Sequence, residues 1–270
     1  MSVSHLVTTL ACVAFLVPWQ EKLPNVLFYS DPQRSDNDIV RRTQPEVPSP
    51  AEKHFVEITK GIFEVNATQD AAEVSREKLK QYRAVVFFTA INPSADKEAL
   101  VDWVREGGAF TGIHSTANTF QSYPPFGEML GAYFESRPWR TKDKPLAKAR
   151  VKVEDTTHPA TKHLGDAFEI EDDLYLFKNW DRSKVHVLLS MDPTSLDMTK
   201  VKRQDPDMAI AWTKMYGKGR VFYTALGDPE HVWKDARYQT HLIEGVKWTM
   251  GKSRGLSTRG RLPLGVLLKL

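Results

Sequence analysis

Cysteine is nearly absent from this sequence, since Cys12 is the only one among 270 residues. A single thiol excludes an intrachain disulfide framework and a metal site built from several cysteines. It also leaves only one candidate thiol nucleophile, and that residue lies within the apolar N-terminal run from Leu6 to Val17.

Long apolar runs are missing as well, because Leu6 to Val17 is too short to span a bilayer comfortably. We therefore expect no transmembrane span. The run has the length of a secretory signal core, although no Lys or Arg precedes it and no clean Ala-x-Ala cleavage site follows. Residues 1–22 are predicted to be an export signal, which would direct the protein to the periplasm or outside the cell. The alternatives are an N-terminal extension on a cytoplasmic protein and, less well placed, a lipoprotein signal at Cys12.

A basic stripe of the kind that binds nucleic acid is also lacking. The net charge is only +3, and basic residues are scattered among acidic ones until the last twenty residues. We therefore expect no nucleic-acid partner, and we interpret residues 252–270 as a basic C-terminal tail. Residues 23–251 contain no internal repeat and no second boundary, and 41% hydrophobic residues suffice for one α/β domain. The sequence does not predict an oligomeric state.

The segment from Tyr82 to Phe120 predicts a strand, a helix, a second strand and a polar turn. Its apolar run from Ala84 to Phe88 is typical of a strand buried on both faces. Gly107-Gly108 ends the helix, and the second strand stops at His114. Strands and helices alternate along the rest of the chain, which predicts an α/β fold with a mostly parallel sheet and helices on both faces.

Two local signals predict boundaries outside this segment. Ser49 followed by Pro50 predicts the start of a helix, with serine as N-cap and proline in the first turn. Tyr216-Gly217-Lys218-Gly219 predicts a tight hairpin turn between two strands.

The polar residues after the second strand are the first candidate site. Ligands of an open parallel sheet bind beyond the carboxyl ends of its strands, which is where His114 to Thr119 would lie. His114 is a candidate general base or metal ligand, and Ser115 is the only hydroxyl nucleophile beside it. Neighbours on a strand point apart, so these two need not pair, and a structural histidine is the alternative. Asn118 and Thr119 are candidate substrate contacts in the same turn.

An acidic segment is the second candidate. Glu171, Asp172 and Asp173 precede Tyr175 in a strand-like stretch, where alternation would put Glu171 and Asp173 on one face and Asp172 on the other. A pair of carboxylates there could perform acid–base chemistry or bind a cation. The alternative is a solvated acidic edge of the sheet.

A third group follows the end of a later strand and contains Asp228, Glu230 and His231. If that strand is parallel to the one before His114, then Asp228 or His231 would converge with His114 at one edge of the sheet. A set of His, Asp and Glu side chains at strand ends suits a metal or a sugar. A divalent metal is therefore a candidate cofactor, and the sequence does not predict its identity.

A family resemblance appears in two glycine-rich motifs. The first is Gly107-Gly108-Ala109-Phe110-Thr111-Gly112-Ile113-His114-Ser115, which is similar to the Gly-Gly-x-Phe-x-Gly-Ile-His-Ser signature of the ThuA-like family of the trehalose-utilisation type. The second runs from Gly217 to Gly227 and is followed by Trp233. Shorter matches lie at Gly127 to Ala132, Val153 to Thr161 and Asp172 to Tyr175, so the resemblance covers roughly Asn25 to Gly251.

This resemblance implies a flavodoxin-like sheet similar to that of class I glutamine amidotransferases, with His114 where those enzymes carry the catalytic cysteine. Thiolate attack and amidotransfer are therefore not expected. The resemblance instead implies a role in sugar catabolism. Family members commonly carry a histidine after the first strand and Leu-Gly-His after the Tyr-Thr-Ala strand. Here the first loop has no histidine before His54, and the second position is Asp228, with His231 three residues on.

Two functions remain open from the sequence. The first is an enzyme that acts on a sugar or keto-sugar by proton transfer or hydrolysis, with His114, Ser115, Asp228 and His231 as catalytic candidates. The second is a non-catalytic sugar-binding or scaffold module that kept the fold. The candidate contacts to a small carbohydrate are aromatic or polar and comprise Asn118, Thr119, Tyr123, Phe126, Glu128, Asp173, Tyr175 and Trp233.

Overall fold

A computed structural model describes residues 22–31, 38–89, 94–203 and 207–251, and its centre is a mixed sheet of nine strands. Residues 1–21 of the predicted signal (1–22) and the whole predicted tail (252–270) lie outside the described residues. The strands are β1 Asn25–Asp31, β2 Glu64–Thr68, β3 Ala84–Thr89, β4 Ala109–Ile113, β5 Tyr133–Ser136, β6 Ala147–Val153, β7 Ala167–Asp172, β8 Leu176–Lys178, β9 His186–Met191, β10 Ala209–Tyr216 and β11 Gly219–Thr224.

The first half of the sheet is parallel, in the order β2-β1-β3-β4-β11. The apolar segments 26–29 of β1 and 84–88 of β3 are buried, and so is all of β4, as expected for strands covered on both faces. The carboxyl ends of β4 and β11 lie side by side, because Ile113 pairs with Thr224. This register brings the turn after β4 next to the turn after β11.

The second half of the sheet is antiparallel, in the order β11-β10-β9-β6-β7. Strands β10 and β11 form the predicted hairpin, in which Tyr216 pairs with Gly219. Gly217 has a φ of 58°, a conformation that glycine adopts without the steric cost of a Cβ atom. Strands β5 and β8 form a separate antiparallel pair.

Six α-helices are found in the described parts of the chain: α1 Pro50–Ile58, α2 Arg76–Leu79, α3 Lys97–Arg105, α4 Pro124–Leu130, α5 Glu230–Trp233 and α6 Ala236–Thr249. Helix α1 begins as predicted, because the side chain of Ser49 accepts the N–H of Glu52 and the Glu52 carboxylate accepts the N–H of Ser49. Among these residues, no helix has both the length and the apolar character that crossing a bilayer requires.

Helices cover both faces of the sheet at β11. Phe222 packs against α6, where its ring leaves no space for a Cβ atom at Gly245. The next residue, Tyr223, points to the opposite face and packs against Trp212, whose indole donates to the carbonyl of Leu130 in α4. The predicted α/β class with a flavodoxin-like arrangement is therefore confirmed, and the antiparallel half adds strands to one side of it.

Candidate functional site

A strained turn holds His114 at the end of β4. His114 has a φ of 43°, which a residue with a Cβ atom adopts only when its surroundings compel it. Tyr223 donates its hydroxyl to the carbonyl of His114 at 2.8 Å, and Thr116 donates to the carbonyl of Phe87 at 2.7 Å. A sharp strand-to-turn bend of this kind presents the side chain at its apex beyond the sheet, as in a nucleophile elbow.

The imidazole of His114 is held in one orientation and is 1% exposed. Its Nδ1 lies 2.7 Å from the carbonyl oxygen of Ala225, so this nitrogen carries the proton and donates. Its Nε2 lies 3.2 Å from Oδ1 of Asp228, an ion-pair distance without hydrogen-bond alignment. The ring of Tyr175 packs over the imidazole with 4.1 Å between centroids. Nε2 is therefore the nitrogen that faces the acidic residues.

Asp172 and Asp173 are both buried close to His114. The Asp172 carboxylate accepts the main-chain N–H groups of Gly227 and Asp228, whereas Oδ2 of Asp173 accepts guanidinium groups. Glu171 is exposed. The expected pairing of Glu171 with Asp173 on one face is therefore wrong, because β7 ends at Asp172 and the alternation of a strand stops there.

The pKa values at this centre are shifted by burial and by neighbouring charge. Burial alone would lower the pKa of His114, but the carboxylates of Asp228, Asp172 and Asp173 raise it to about 9. Burial raises the pKa of Asp172 to about 7, against the opposing effect of the His114 charge. Burial also raises the pKa of Asp173. The centre therefore favours a positive charge, or a proton, among its carboxylates.

Three side chains meet closely enough to act on one ligand atom. His114, Asp173 and Asp228 each offer one nitrogen or oxygen atom, and these three atoms all lie within 4.8 Å of one another. A nitrogen that polarises an oxygen, next to a carboxylate that accepts a proton, is a pairing used in proton transfer. The same three atoms are also the set that could hold a cation.

Three predicted residues lie in the turn that carries His114. Ser115 is half-buried, and Asn118 is half-buried and accepts the side-chain amide of Gln121 at 2.6 Å. Thr119 is fully buried. Tyr175 and Asp173, which follow β7, complete the wall around the imidazole.

The remaining predicted residues do not join this centre. Of the two residues expected to converge on His114, Asp228 does so, whereas His231 is exposed and its Nε2 contacts the carbonyl oxygen of Glu171 at 3.0 Å. Phe126 and Trp233 are 0% exposed and pack in the core, which leaves no ring face for a sugar. Tyr123 is half-buried beneath Lys97, and Glu128 is exposed on α4, so both stay predictions.

Arg137 and Arg140 belong to the centre and were not predicted. Both guanidinium groups donate to Oδ2 of Asp173, at 2.8 and 3.1 Å. The two arginines stand three residues apart in the sequence, but no local pattern links them to a carboxylate 36 and 33 positions later. The fold brings the segment after β5 next to the end of β7, and this brings the arginines to Asp173.

Comparison with known proteins agrees with this architecture. A family model described as ThuA, trehalose utilisation, matches residues 27–249. A solved ThuA-like protein from Bacteroides uniformis is 22% identical, with a TM-score of 0.70 over 89% of this chain and 97% of its own. A second, from Parabacteroides merdae, is 16% identical, with a TM-score of 0.63 over 87% of this chain and 93% of its own.

A more distant similarity reaches a β-galactosidase from Bacillus circulans, which is 13% identical with a TM-score of 0.51. It spans 85% of this chain but only 31% of the β-galactosidase chain, and it shows likeness of fold alone. The sequence has no significant match among curated proteins. Because the family model spans most of the sequence and the central motifs lie within it, the chain belongs to the ThuA (trehalose utilisation) family.

Proposed function

We propose that this protein is an enzyme of carbohydrate catabolism that acts on a sugar or keto-sugar by proton transfer or hydrolysis. The observation that carries the proposal is the centre at the carboxyl ends of β4 and β11. There a buried imidazole faces two carboxylates, and Nε2 of His114 lies 3.2 Å from Oδ1 of Asp228. The family to which the chain belongs is described by trehalose utilisation, and this supports a sugar as the substrate class.

The exposure of the three side chains supports different roles for them. The side chain of Asp228 is 16% exposed, whereas those of His114 and Asp173 are 1% exposed. Asp228 is therefore the member that a substrate reaches first, and we assign it the role of proton acceptor. His114 polarises the substrate oxygen from the buried side of the centre, and the Asp173 carboxylate stabilises the positive charge of the imidazole.

A keto-sugar is the substrate that best matches these roles. A ketone acidifies the C–H bonds next to it, so a carboxylate can remove a proton when the carbonyl oxygen is stabilised at the same time. Alignment of this kind needs a rigid site. Here the backbone of His114 is held by Tyr223 and its ring by the carbonyl of Ala225. Neither role requires a thiol, which agrees with histidine at the apex of the turn.

The test is hydrogen exchange and turnover on paired substrates. A keto-disaccharide and its parent disaccharide are incubated with the protein in D2O, and deuterium uptake and bond cleavage are followed by NMR and mass spectrometry. We expect exchange or cleavage of the keto-sugar only. Asp228→Asn should reduce the rate by roughly 100-fold or more, as for loss of a general base.

A matched control uses a second histidine–aspartate pair. Asp155 contacts His186 at 2.8 Å and its side chain is 15% exposed, close to the 16% of Asp228. Asp155→Asn should leave the rate unchanged. Equal rates for Asp228→Asn and the unsubstituted protein would exclude Asp228 as the acceptor.

The binding-module alternative is favoured by one observation, the position of His231 outside the centre. If the protein is a binding module, a sugar should bind to it without chemical change. Calorimetric binding of the keto-sugar, with neither exchange nor cleavage over the substrate panel, would support this alternative and contradict the enzyme.

A further inference from the structure

We propose that His114, Asp173 and Asp228 bind one divalent first-row transition-metal cation such as Mn²⁺ or Zn²⁺. The inference rests on the proposed function: His114 would polarise the substrate oxygen through the cation that it binds. The three side chains come from separate segments of the chain, yet one ligand atom from each lies within 4.8 Å of the other two. A modest contraction brings three such atoms to the spacing of ligands around one cation.

Two buried polar atoms at this point lack hydrogen-bond partners among the described residues. They are Nε2 of His114 and Oδ1 of Asp173, and both side chains are 1% exposed. A buried polar group without a partner costs about 1–3 kcal/mol, so such groups are rare unless they have a ligand. Both atoms belong to donor types that coordinate transition metals.

The groups behind the three side chains orient them as ligands. His114 donates its Nδ1 proton to the carbonyl of Ala225 at 2.7 Å, and this leaves Nε2 as the nitrogen that faces a metal. Arg137 and Arg140 both donate to Oδ2 of Asp173, so Oδ1 is the oxygen that they leave to the centre. Partners of this kind are typical of metal-binding histidines and carboxylates.

Asp172 orients the third proposed ligand, Asp228. Its carboxylate accepts the main-chain N–H of Asp228 at 3.1 Å and that of Gly227 at 2.8 Å, which fixes the turn that carries Asp228. All three proposed ligands are therefore oriented by a neighbouring group. A histidine and two carboxylate oxygens form a mixed donor set that suits Mn²⁺, Fe²⁺, Co²⁺ or Zn²⁺ better than Ca²⁺.

The ligand count suits a reactive centre. Three protein ligands leave coordination positions for water or for substrate oxygens, as catalytic sites do and closed structural sites do not. Adjacent oxygens of a keto-sugar could occupy two of these positions. Asp228 gives only one atom to the cluster, which leaves its second carboxylate oxygen outside the ligand set.

The experiment measures metal binding directly. The full-length protein is stripped with a chelator, and Co²⁺, Mn²⁺, Zn²⁺ and Ca²⁺ are titrated separately by calorimetry, with metal analysis after gel filtration. The visible absorption of bound Co²⁺ reports its coordination. We expect one transition-metal ion per chain and weaker binding of Ca²⁺. Less than stoichiometric binding of Co²⁺, Mn²⁺ and Zn²⁺ to folded protein, or preference for Ca²⁺, would overturn the proposal.

Variants locate the site. Asp228→Asn and Asp173→Asn should each weaken binding by at least 100-fold, and Asp155→Asn should not change it. His114→Gln is a third variant, and circular dichroism checks that each one folds. Because Asp228 is partly exposed, Asp228→Asn tests the site even if a buried substitution fails to fold. Unchanged affinity in Asp228→Asn would overturn the assignment.

Failure of this inference is distinguishable from failure of the proposed function. Turnover that persists in excess chelator, with no metal bound, would refute the cation and leave the enzyme intact. Stoichiometric metal binding with no turnover on any sugar would support the cation site and refute the proposed enzyme.

Discussion

Asp172, the last residue of β7, accepts the main-chain N–H of Gly227 at 2.8 Å although the two residues are 55 positions apart. The same carboxylate accepts the N–H groups of Asp173 and Asp228. One buried side chain thus gathers three main-chain donors from the turns that follow β7 and β11. Both turns supply carboxylates to the centre around His114.

The first prediction concerns this carboxylate. Asn in place of Asp172 keeps one acceptor oxygen but turns an NH2 group toward a main-chain N–H. One buried donor then loses its partner, so we expect Asp172→Asn to lower the free energy of unfolding by about 1–3 kcal/mol. Urea unfolding followed by circular dichroism measures this loss. An unchanged unfolding midpoint would show that these three hydrogen bonds do not hold the two turns.

Much of the fold was predictable because the relevant signals are local. The apolar run of β3, the Gly107-Gly108 helix end and the turn at Gly217 depend on residues next to one another in the sequence. The place of His114 and Asp228 was predictable for a different reason. Both follow strands of the parallel half, and carboxyl ends of parallel strands meet at one edge of the sheet.

The rest of the centre depends on contacts that the sequence does not display. Arg137 and Arg140 meet Asp173 only through the fold. Phe126 and Trp233 were predicted to stack on a sugar because they are aromatic and near the site in sequence. Aromatic side chains are as useful for core packing, and both are buried here.

The second prediction separates the two histidine candidates. His231 is exposed, and its Nε2 contacts the carbonyl oxygen of Glu171 rather than the centre. His231→Ala should therefore leave kcat/KM for a keto-sugar unchanged within error, whereas His114→Gln should lower it by roughly 100-fold or more. Steady-state kinetics on both variants measures the difference. A comparable loss in His231→Ala would mean that the turn after β11 moves His231 into the site during turnover.

The third prediction concerns a buried hydroxyl beside α4. The hydroxyl oxygen of Tyr133 accepts the N–H of Gly127 at 3.0 Å and donates to the carbonyl of Tyr123 at 2.6 Å. Tyr133→Phe leaves both main-chain groups without this partner, so we expect a loss of about 1–3 kcal/mol in unfolding free energy. Chemical unfolding measures it.

A half-buried tyrosine with an exposed partner provides the control for this substitution. Among the described residues, the hydroxyl of Tyr216 accepts a hydrogen bond from the exposed side chain of Arg105, at 2.7 Å. Tyr216→Phe should therefore change the unfolding free energy by no more than about 0.5 kcal/mol. Equal losses in the two variants would mean that the Tyr133 hydroxyl contributes no more than a surface contact.

Two buried histidines make stability depend on pH. His158 accepts the N–H of Ala160 on its Nδ1 at 3.1 Å, and the Nδ1 of His241 lies 2.7 Å from the carbonyl oxygen of Ala160. Burial lowers the pKa of His158 to about 4 and that of His241 to about 3. Both histidines are therefore neutral in the folded protein at neutral pH, and His158 can accept its hydrogen bond only in that form.

The fourth prediction follows from the sign of these shifts. In the unfolded chain a histidine binds a proton near pH 6.5, whereas in the folded protein these two bind one only near pH 4 and 3. Between those values the unfolded chain holds more protons, so acid favours unfolding. The stabilising contribution is complete above pH 6.5 and falls progressively down to about pH 3. One pKa unit corresponds to about 1.4 kcal/mol, so the two histidines together account for a loss of several kcal/mol.

Urea unfolding at pH 7.5, 6, 5 and 4 measures this loss. His158→Asn removes one titrating group while its side-chain oxygen can still accept the N–H of Ala160, so the unfolding free energy should fall less steeply with acid in this variant. His163→Asn, which replaces an exposed histidine, controls for the removal of one imidazole. An identical slope in His158→Asn and the unsubstituted protein would mean that His158 takes up its proton equally readily in both states. The acid sensitivity would then have to arise elsewhere, with His241, whose pKa is also lowered by burial, as the first group to test.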